Sequence, residues 1–233
     1  MRRSSGDLRG EERQMTKSTR AKRGSSPSHR ASWRATYERL PYDQLPWFEP
    51  GPSLSVKLAV AEGFLPKGGE VLDIGCGAGS NVLFLGKSGF RAHGVDLSPG
   101  AVAAARARAA EAHLVADIQE GDALALRFAD GSLDGIVDHG CFHTLPLSRR
   151  EDYAREVHRV LRPGGSFVLA WVAREHTAPM GPPHRPSVQE VAAVLESRFL
   201  FSRVEFNPGR ENGEPSFYFG FLSRRSTPYP RRR

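Results

Sequence analysis

From residue 53 onward, short apolar runs alternate with segments whose apolar residues recur at helical spacing. Val71, Leu72 and Ile74 make a run suited to a buried parallel strand. The stretch 81–89 after it has a helical apolar face and a closing glycine. Before it, Ser53 is placed to cap a helix through Val56, Leu58, Ala59, Val60 and Phe64 that stops before Pro66. Residues 91–95 form a second strand ending in Asp96, and Ser98-Pro99 opens an alanine-rich helix to about Ala112. Residues 115–119 read as a third strand and 133–138 as a fourth. Ser148 is placed to cap a helix with Tyr153, Val157, Val160 and Leu161 on one face, and 162–165 turn into a strand over 166–172. Ser187 caps a short helix to Ser197, and 199–206 and 217–222 are aromatic-rich strands spaced for an antiparallel hairpin. The pattern predicts an α/β chain: a Rossmann-like, mostly parallel central sheet with helices on both faces, closed at one edge by the C-terminal hairpin.

The ends differ from this pattern. Residues 1–30 are polar, without periodicity, and hold nine Lys/Arg against three acids. Residues 224–233 hold five arginines and no acid. The formal charge of +7 therefore belongs to the ends, and residues 31–223 are left at −4. The expected organisation is a disordered basic arm (1–30), one globular domain (31–223) and a basic tail (224–233). Within the domain, 31–52 interleave Trp33, Tyr37, Tyr42, Trp47 and Phe48 with prolines, which suits an aromatic cover over a ligand cleft.

Two cysteines, Cys76 and Cys141, are too few for a disulfide framework or a zinc site. With no apolar stretch approaching the ~20 residues of a membrane span, the expectation is a cytoplasmic protein, monomer or homodimer. The acidic core makes nucleic acid a poor partner.

Candidate chemistry gathers where the parallel strands end, which is where open α/β sheets hold ligands. Gly75, Gly77 and Gly79 alternate after the first strand, giving a tight turn that a ligand can approach closely. Asp73 lies two residues before the first glycine, and Asp96 ends the next strand about twenty residues on, placed to chelate ribose hydroxyls. Asp122 and Asp138 with His139 fall at two further strand ends. A dinucleotide turn requires a small residue where Ser80 stands, and Asp73 is a poor neighbour for a pyrophosphate. An acid there suits a nucleoside cofactor with a cationic amino group.

The segment Val71 to Gly79, together with Gly94-Val95-Asp96, resembles the motifs of class I S-adenosylmethionine-dependent methyltransferases. Over residues 33–206 the chain looks more narrowly like bacterial small-molecule methyltransferases of the heterocyclic-toxin and thiol group, and more loosely like thiopurine and tellurite methyltransferases. That likeness rests on Asp138-His139-Gly140-Cys141-Phe142-His143, on Arg162-Pro163-Gly164-Gly165 and on Gly181-Pro182-Pro183 near Arg185. It implies that Asp73, Gly75 and Gly77 surround the methionine part of S-adenosylmethionine. Asp96 would hold the ribose with Leu97 beside the adenine, Asp122 and Ala123 would meet the adenine amino group, and Asp138 would lie near the sulfonium.

Transfer to a thiol, hydroxyl or ring nitrogen needs an unprotonated nucleophile, so His143 and then His139 are the candidate bases. Trp47, Phe48, Phe142 and Met180 are the candidate walls of an apolar acceptor pocket. The two histidines, four apart around Cys141, lack a third metal ligand, so no metal is expected. An RNA methyltransferase using the basic ends and a non-catalytic cofactor-binding module are the competing functions.

Overall fold

The computed structural model describes residues 25–176, 184–209 and 216–228. Seven strands form one sheet: β1 (Glu70–Ile74), β2 (Arg91–Asp96), β3 (Asp117–Glu120), β4 (Leu133–His139), β5 (Leu161–Val172), β6 (Phe199–Asn207) and β7 (Phe217–Arg224). Their order is β3-β2-β1-β4-β5-β7-β6. The pairs β1–β2, β1–β4, β2–β3 and β4–β5 are parallel, whereas β7 runs antiparallel to both β5 and β6. The predicted sheet and hairpin are therefore present, with the later hairpin strand inserted between β5 and the edge.

Helices cover both faces. On one side α2 (Leu54–Ala61), α3 (Ser80–Lys87) and α4 (Pro99–Glu111) bury Val56, Ala59, Val82, Leu85, Val102, Ala105 and Ala109 against Val71, Val137 and Val168. On the other, α5 (Arg150–Val160) and α6 (Val188–Leu195) bury Tyr153, Val157, Val160, Val191 and Leu195 against Leu72, Ile136, Phe167 and Leu169. Alternate residues of each inner strand thus serve opposite layers, which is why these strands read as continuous apolar runs. The α6 start is a full capping box, Ser187 with Glu190.

Several boundaries differ from the sequence reading. A helix, α1 (Pro27–Arg39), crosses the expected boundary at residue 30, with the Ser26 hydroxyl accepting from His29 N–H. The proposed disordered arm therefore gives its last residues to the domain, and its first 24 lie outside the described residues. Ser53 precedes α2, but its hydroxyl makes no capping bond and meets Asn81 Oδ1 and the Ser55 hydroxyl instead; the helix ends at Ala61. Val115 is 98% exposed and outside β3, because pairing with β2 begins only at Asp117 opposite His93. Ser148 sits inside a 3-10 turn, and α5 starts after Arg149. At the other end β7 runs on to Arg224, whose Nε and Nη1 donate to His158 Nε2 and the Leu161 carbonyl.

Candidate cofactor and acceptor site

Going along the chain, strands are added outward from β1 through β2 to β3, and then in the other direction from β4. The crevice between the carboxyl ends of β1 and β4 is the topological switch point, where ligands of such sheets bind. The turn after β1 is held by Gly75 and Cys76 N–H groups, both donating to the Val95 carbonyl (2.7 and 3.1 Å). Gly75 and Gly77 have φ of +69° and +52°, a region costly for residues with a Cβ. A Cβ on Gly75 would also lie 2.7 Å from Cys141 Cβ, so the two loops that flank the crevice touch at a point only glycine permits.

Asp73 stands beneath this turn, 2% exposed. Its Oδ2 is buried without a hydrogen-bond partner. Burial first, then the nearby Asp138 and Asp96 carboxylates, push its pKa well above the usual range, while a hydrogen bond from Asn81 opposes the rise. Asn81 is itself fixed, its Oδ1 accepting from Ser53 N–H at 2.9 Å. Asp96 is braced by two backbone donors, Gly77 N–H to Oδ2 and Ser98 N–H to Oδ1, both at 2.9 Å. With Leu97 N–H as a further backbone donor, the carboxylate still has lone-pair capacity for a ligand hydroxyl. Leu97 beside it is half-buried and Ala123 buried. A buried carboxylate with one unpartnered oxygen under a glycine turn and a braced one at the next strand tip fit a ligand with a cationic amino group and a ribose.

The remaining predicted residues divide. Asp138 is not turned to the crevice. Its carboxylate accepts Cys141 N–H (2.8 Å), Phe142 N–H (3.0 Å) and the Tyr153 hydroxyl (2.5 Å), so it caps the 3-10 turn 142–144. Burial still pushes it up to about 7. His143 is buried, and its Nδ1 accepts Val172 N–H at 3.1 Å. That bond uses the Nδ1 lone pair and leaves Nε2 as the N–H, so the neutral ring has no free lone pair to act as base. Burial, then His139 and Arg150, lower its pKa to about 3. The expectation of His143 as base is corrected to a strand-fixing role.

His139 is different. It ends β4, stacks on Phe217 with centroids 4.7 Å apart, and its buried Nδ1 has no partner. Burial lowers its pKa to about 4.

Of the expected pocket walls, Phe142 is fully buried against Tyr153 with the Arg150 guanidinium over its ring, and belongs to the core. Trp47, 48% exposed, meets Trp33 and Tyr37 edge-on, and Phe48 packs on Tyr42. Met180 lies outside the described residues.

Sequence reasoning placed Tyr37 in the aromatic cover without the helix that carries it, and it missed two further groups that shape the crevice, Arg108 and the Ser25–Arg30 pair. Arg108 of α4 donates to the Ala78 carbonyl (2.6 Å), the Ser80 hydroxyl (3.0 Å) and the Pro50 carbonyl (3.0 Å), tying the aromatic cover to the glycine turn. Tyr37 of α1 lies over the turn: a Cβ on Gly77 would be 3.2 Å from its hydroxyl. Ser25 and Arg30 both bond Asp122. The i, i+4 spacing of Trp33 and Tyr37 was the available signal for a helix presenting aromatics.

Comparison with known proteins agrees with this geometry. Residues 71–165 match the family model described as a methyltransferase domain. Over these residues the chain is similar to methyltransferase domains. The match runs from β1 to the glycine turn inside β5, and so contains Asp73, Asp96, Asp122 and His139. The chain is 29% identical over 157 residues to a 2-heptyl-1-hydroxyquinolin-4(1H)-one methyltransferase of Mycobacteroides abscessus, covering 64% of this chain and 66% of that one. Across the first relatives it matches, the chain spans only 55–66% of their length.

Among solved structures it superposes with TM-score 0.71 (24% identity, 84% and 92% of the two chains) on one from a study of disulfide-to-thioacetal conversion during echinomycin biosynthesis. The TM-score is 0.67 (19% identity, 87% and 92%) against Burkholderia thailandensis 1,6-didemethyltoxoflavin-N1-methyltransferase with bound 1,6-didemethyltoxoflavin and S-adenosylhomocysteine. At these identities the structural likeness speaks for the methyltransferase fold. Among the described residues, no helix is long and apolar enough to cross a membrane.

Proposed function

We propose that the protein transfers the methyl group of S-adenosylmethionine to a small-molecule acceptor whose accepting atom ionises near neutral pH: a thiol, an acidic heteroaromatic hydroxyl or a ring nitrogen. The observation that carries this is the pair of unpartnered buried atoms flanking the crevice, Asp73 Oδ2 on the β1 side and His139 Nδ1 at the end of β4. Asp73 and Asp96 would hold the amino and ribose groups. The cofactor supplies an already activated methyl, so alignment of the acceptor can account for most of the acceleration.

His139 and His143 support this acceptor class. A base whose conjugate acid has a pKa near 4 is poorly matched to an ordinary phenol at about 10. His143 has no free lone pair. His139 is suited instead to orienting an acceptor, donating from Nδ1 to an anion or accepting from a hydroxyl, with Phe217 stacked against its ring. The Mycobacteroides abscessus relative, named for a 1-hydroxyquinolinone, supports an acceptor of this kind.

The test is a panel graded by acceptor pKa (aryl thiols, N-hydroxy heteroaromatics, simple phenols), read as formation of S-adenosylhomocysteine. Turnover should rise as acceptor pKa falls toward the assay pH. Turnover of unactivated phenols equal to that of thiols would refute the acceptor class. Failure of every acceptor, with RNA methylated instead, would refute the small-molecule reading.

A further inference from the structure

Asp122 is 5% exposed, and all of its hydrogen-bonding capacity is in use. An ionised carboxylate offers about four lone-pair sites. Oδ1 accepts Leu124 N–H and the Ser25 hydroxyl, each at 3.0 Å. Oδ2 accepts Ser25 N–H and Arg30 Nη2, the latter at 2.7 Å. Three of the four donors come from the first turn of α1 and from Ser25, two residues before it. Only Leu124 N–H is local. This is the same carboxylate that the family resemblance assigns to the adenine amino group.

We propose that Asp122 has two mutually exclusive occupants, the Ser25–Arg30 latch and the adenine amino group of the cofactor, so that cofactor binding opens the N-terminal end of α1. The proposal rests on Asp122 meeting the adenine. Leaving of the latch frees both lone pairs of Oδ2 and one of Oδ1, enough for an amino donor. Arg30 is 47% exposed and can turn into water, where a charge is well solvated. The rest of α1 need not follow. Its later residues have their own anchors: Arg34 pairs with Glu120, and Tyr37 packs over Gly77 and Gly100. The moving part is thus the first turn of the helix, and Tyr37 stays over the glycine turn as a fixed part of the cofactor crevice. Because linkage is reciprocal, the latch must weaken the cofactor by the same factor that the cofactor weakens the latch.

The experiment compares the full chain with Arg30→Ala and Ser25→Pro, which remove the ionic donor and the N–H with its hydroxyl. S-adenosylhomocysteine affinity is measured by calorimetry, and hydrogen exchange over residues 25–39 with and without that ligand. A latch closed about nine-tenths of the time would hold affinity down about tenfold, so both variants should bind up to about tenfold more tightly. In the unaltered protein, saturating ligand should speed exchange at 25–30 and leave it slow around Tyr37. Unchanged or weaker binding by both variants, or slower exchange at 25–30 with ligand, would overturn the latch. If S-adenosylhomocysteine bound none of the three proteins, the cofactor reading would fall and the latch with it.

Discussion

Asp73→Asn should make the protein more stable and worse at binding its cofactor. The carboxylate is 2% exposed, Oδ2 has no partner, and two further acids lie close enough to raise its pKa. An unsatisfied buried acceptor costs about 1–3 kcal/mol, more when charged, and the amide removes the charge while keeping the shape. For a domain of this size each kcal/mol moves Tm by about 2–4 °C, so a rise of roughly 3–10 °C is expected at pH 8. The sign depends on pH. Burial holds the folded-state pKa above that of the unfolded chain, about 3.9. Below that value both states are protonated and the charge costs nothing. As pH rises, the unfolded chain ionises first and the parent protein loses stability until the folded carboxyl ionises too. The gap between variant and parent should therefore be small near pH 3.5 and widen as pH rises above it. In binding, loss of a charged hydrogen bond, about 1.5–3 kcal/mol, predicts affinity for S-adenosylhomocysteine lower by about 10- to 150-fold. Thermal unfolding at the two pH values and calorimetry read both effects. A variant destabilised at pH 8 with affinity intact would refute the placement of an unpaired charge under the turn.

His143→Gln should leave the pH–rate profile of an acidic acceptor unshifted, and it should flatten the acid side of the stability curve. A histidine kept neutral to about pH 3 when folded, against 6.5 unfolded, loses stability as pH falls through that window. A shifted kcat profile would restore it as a base. Gly75→Ala should cost about 2–5 kcal/mol, from left-handed backbone strain plus overpacking against Cys141. Combining it with Cys141→Gly should recover the packing part, whereas simple additivity in urea unfolding would show that the loops do not touch.

The order of elements was legible because the inner strands are buried on both faces and α5 and α6 carry clean apolar stripes. Val115 misled because an apolar residue beside a strand is indistinguishable from one inside it until the β2 partner is known. The strand-end acids were legible as positions but not as orientations. Asp138 turns back to the N–H groups that follow it, as a capping acid does, whereas Asp73 keeps one oxygen unpartnered. His143 is silenced by a strand residue 29 positions later, a partner that no local spacing reveals. The basic composition of the N-terminal end hid the short stretch that docks on Asp122.

The position of β7 bears on how the chain is made. It is the latest of the described strands, yet it lies inside the sheet, and β6 joins only through it. While the chain emerges from the ribosome, β5 must keep one long edge unpaired, with Phe167, Leu169 and Trp171 on one face, until residues 217–224 arrive. Open apolar edges are templates for pairing with another molecule. Chains cut short within the β6–β7 connection should therefore aggregate through β5 rather than persist as a smaller folded unit, however complete their cofactor crevice.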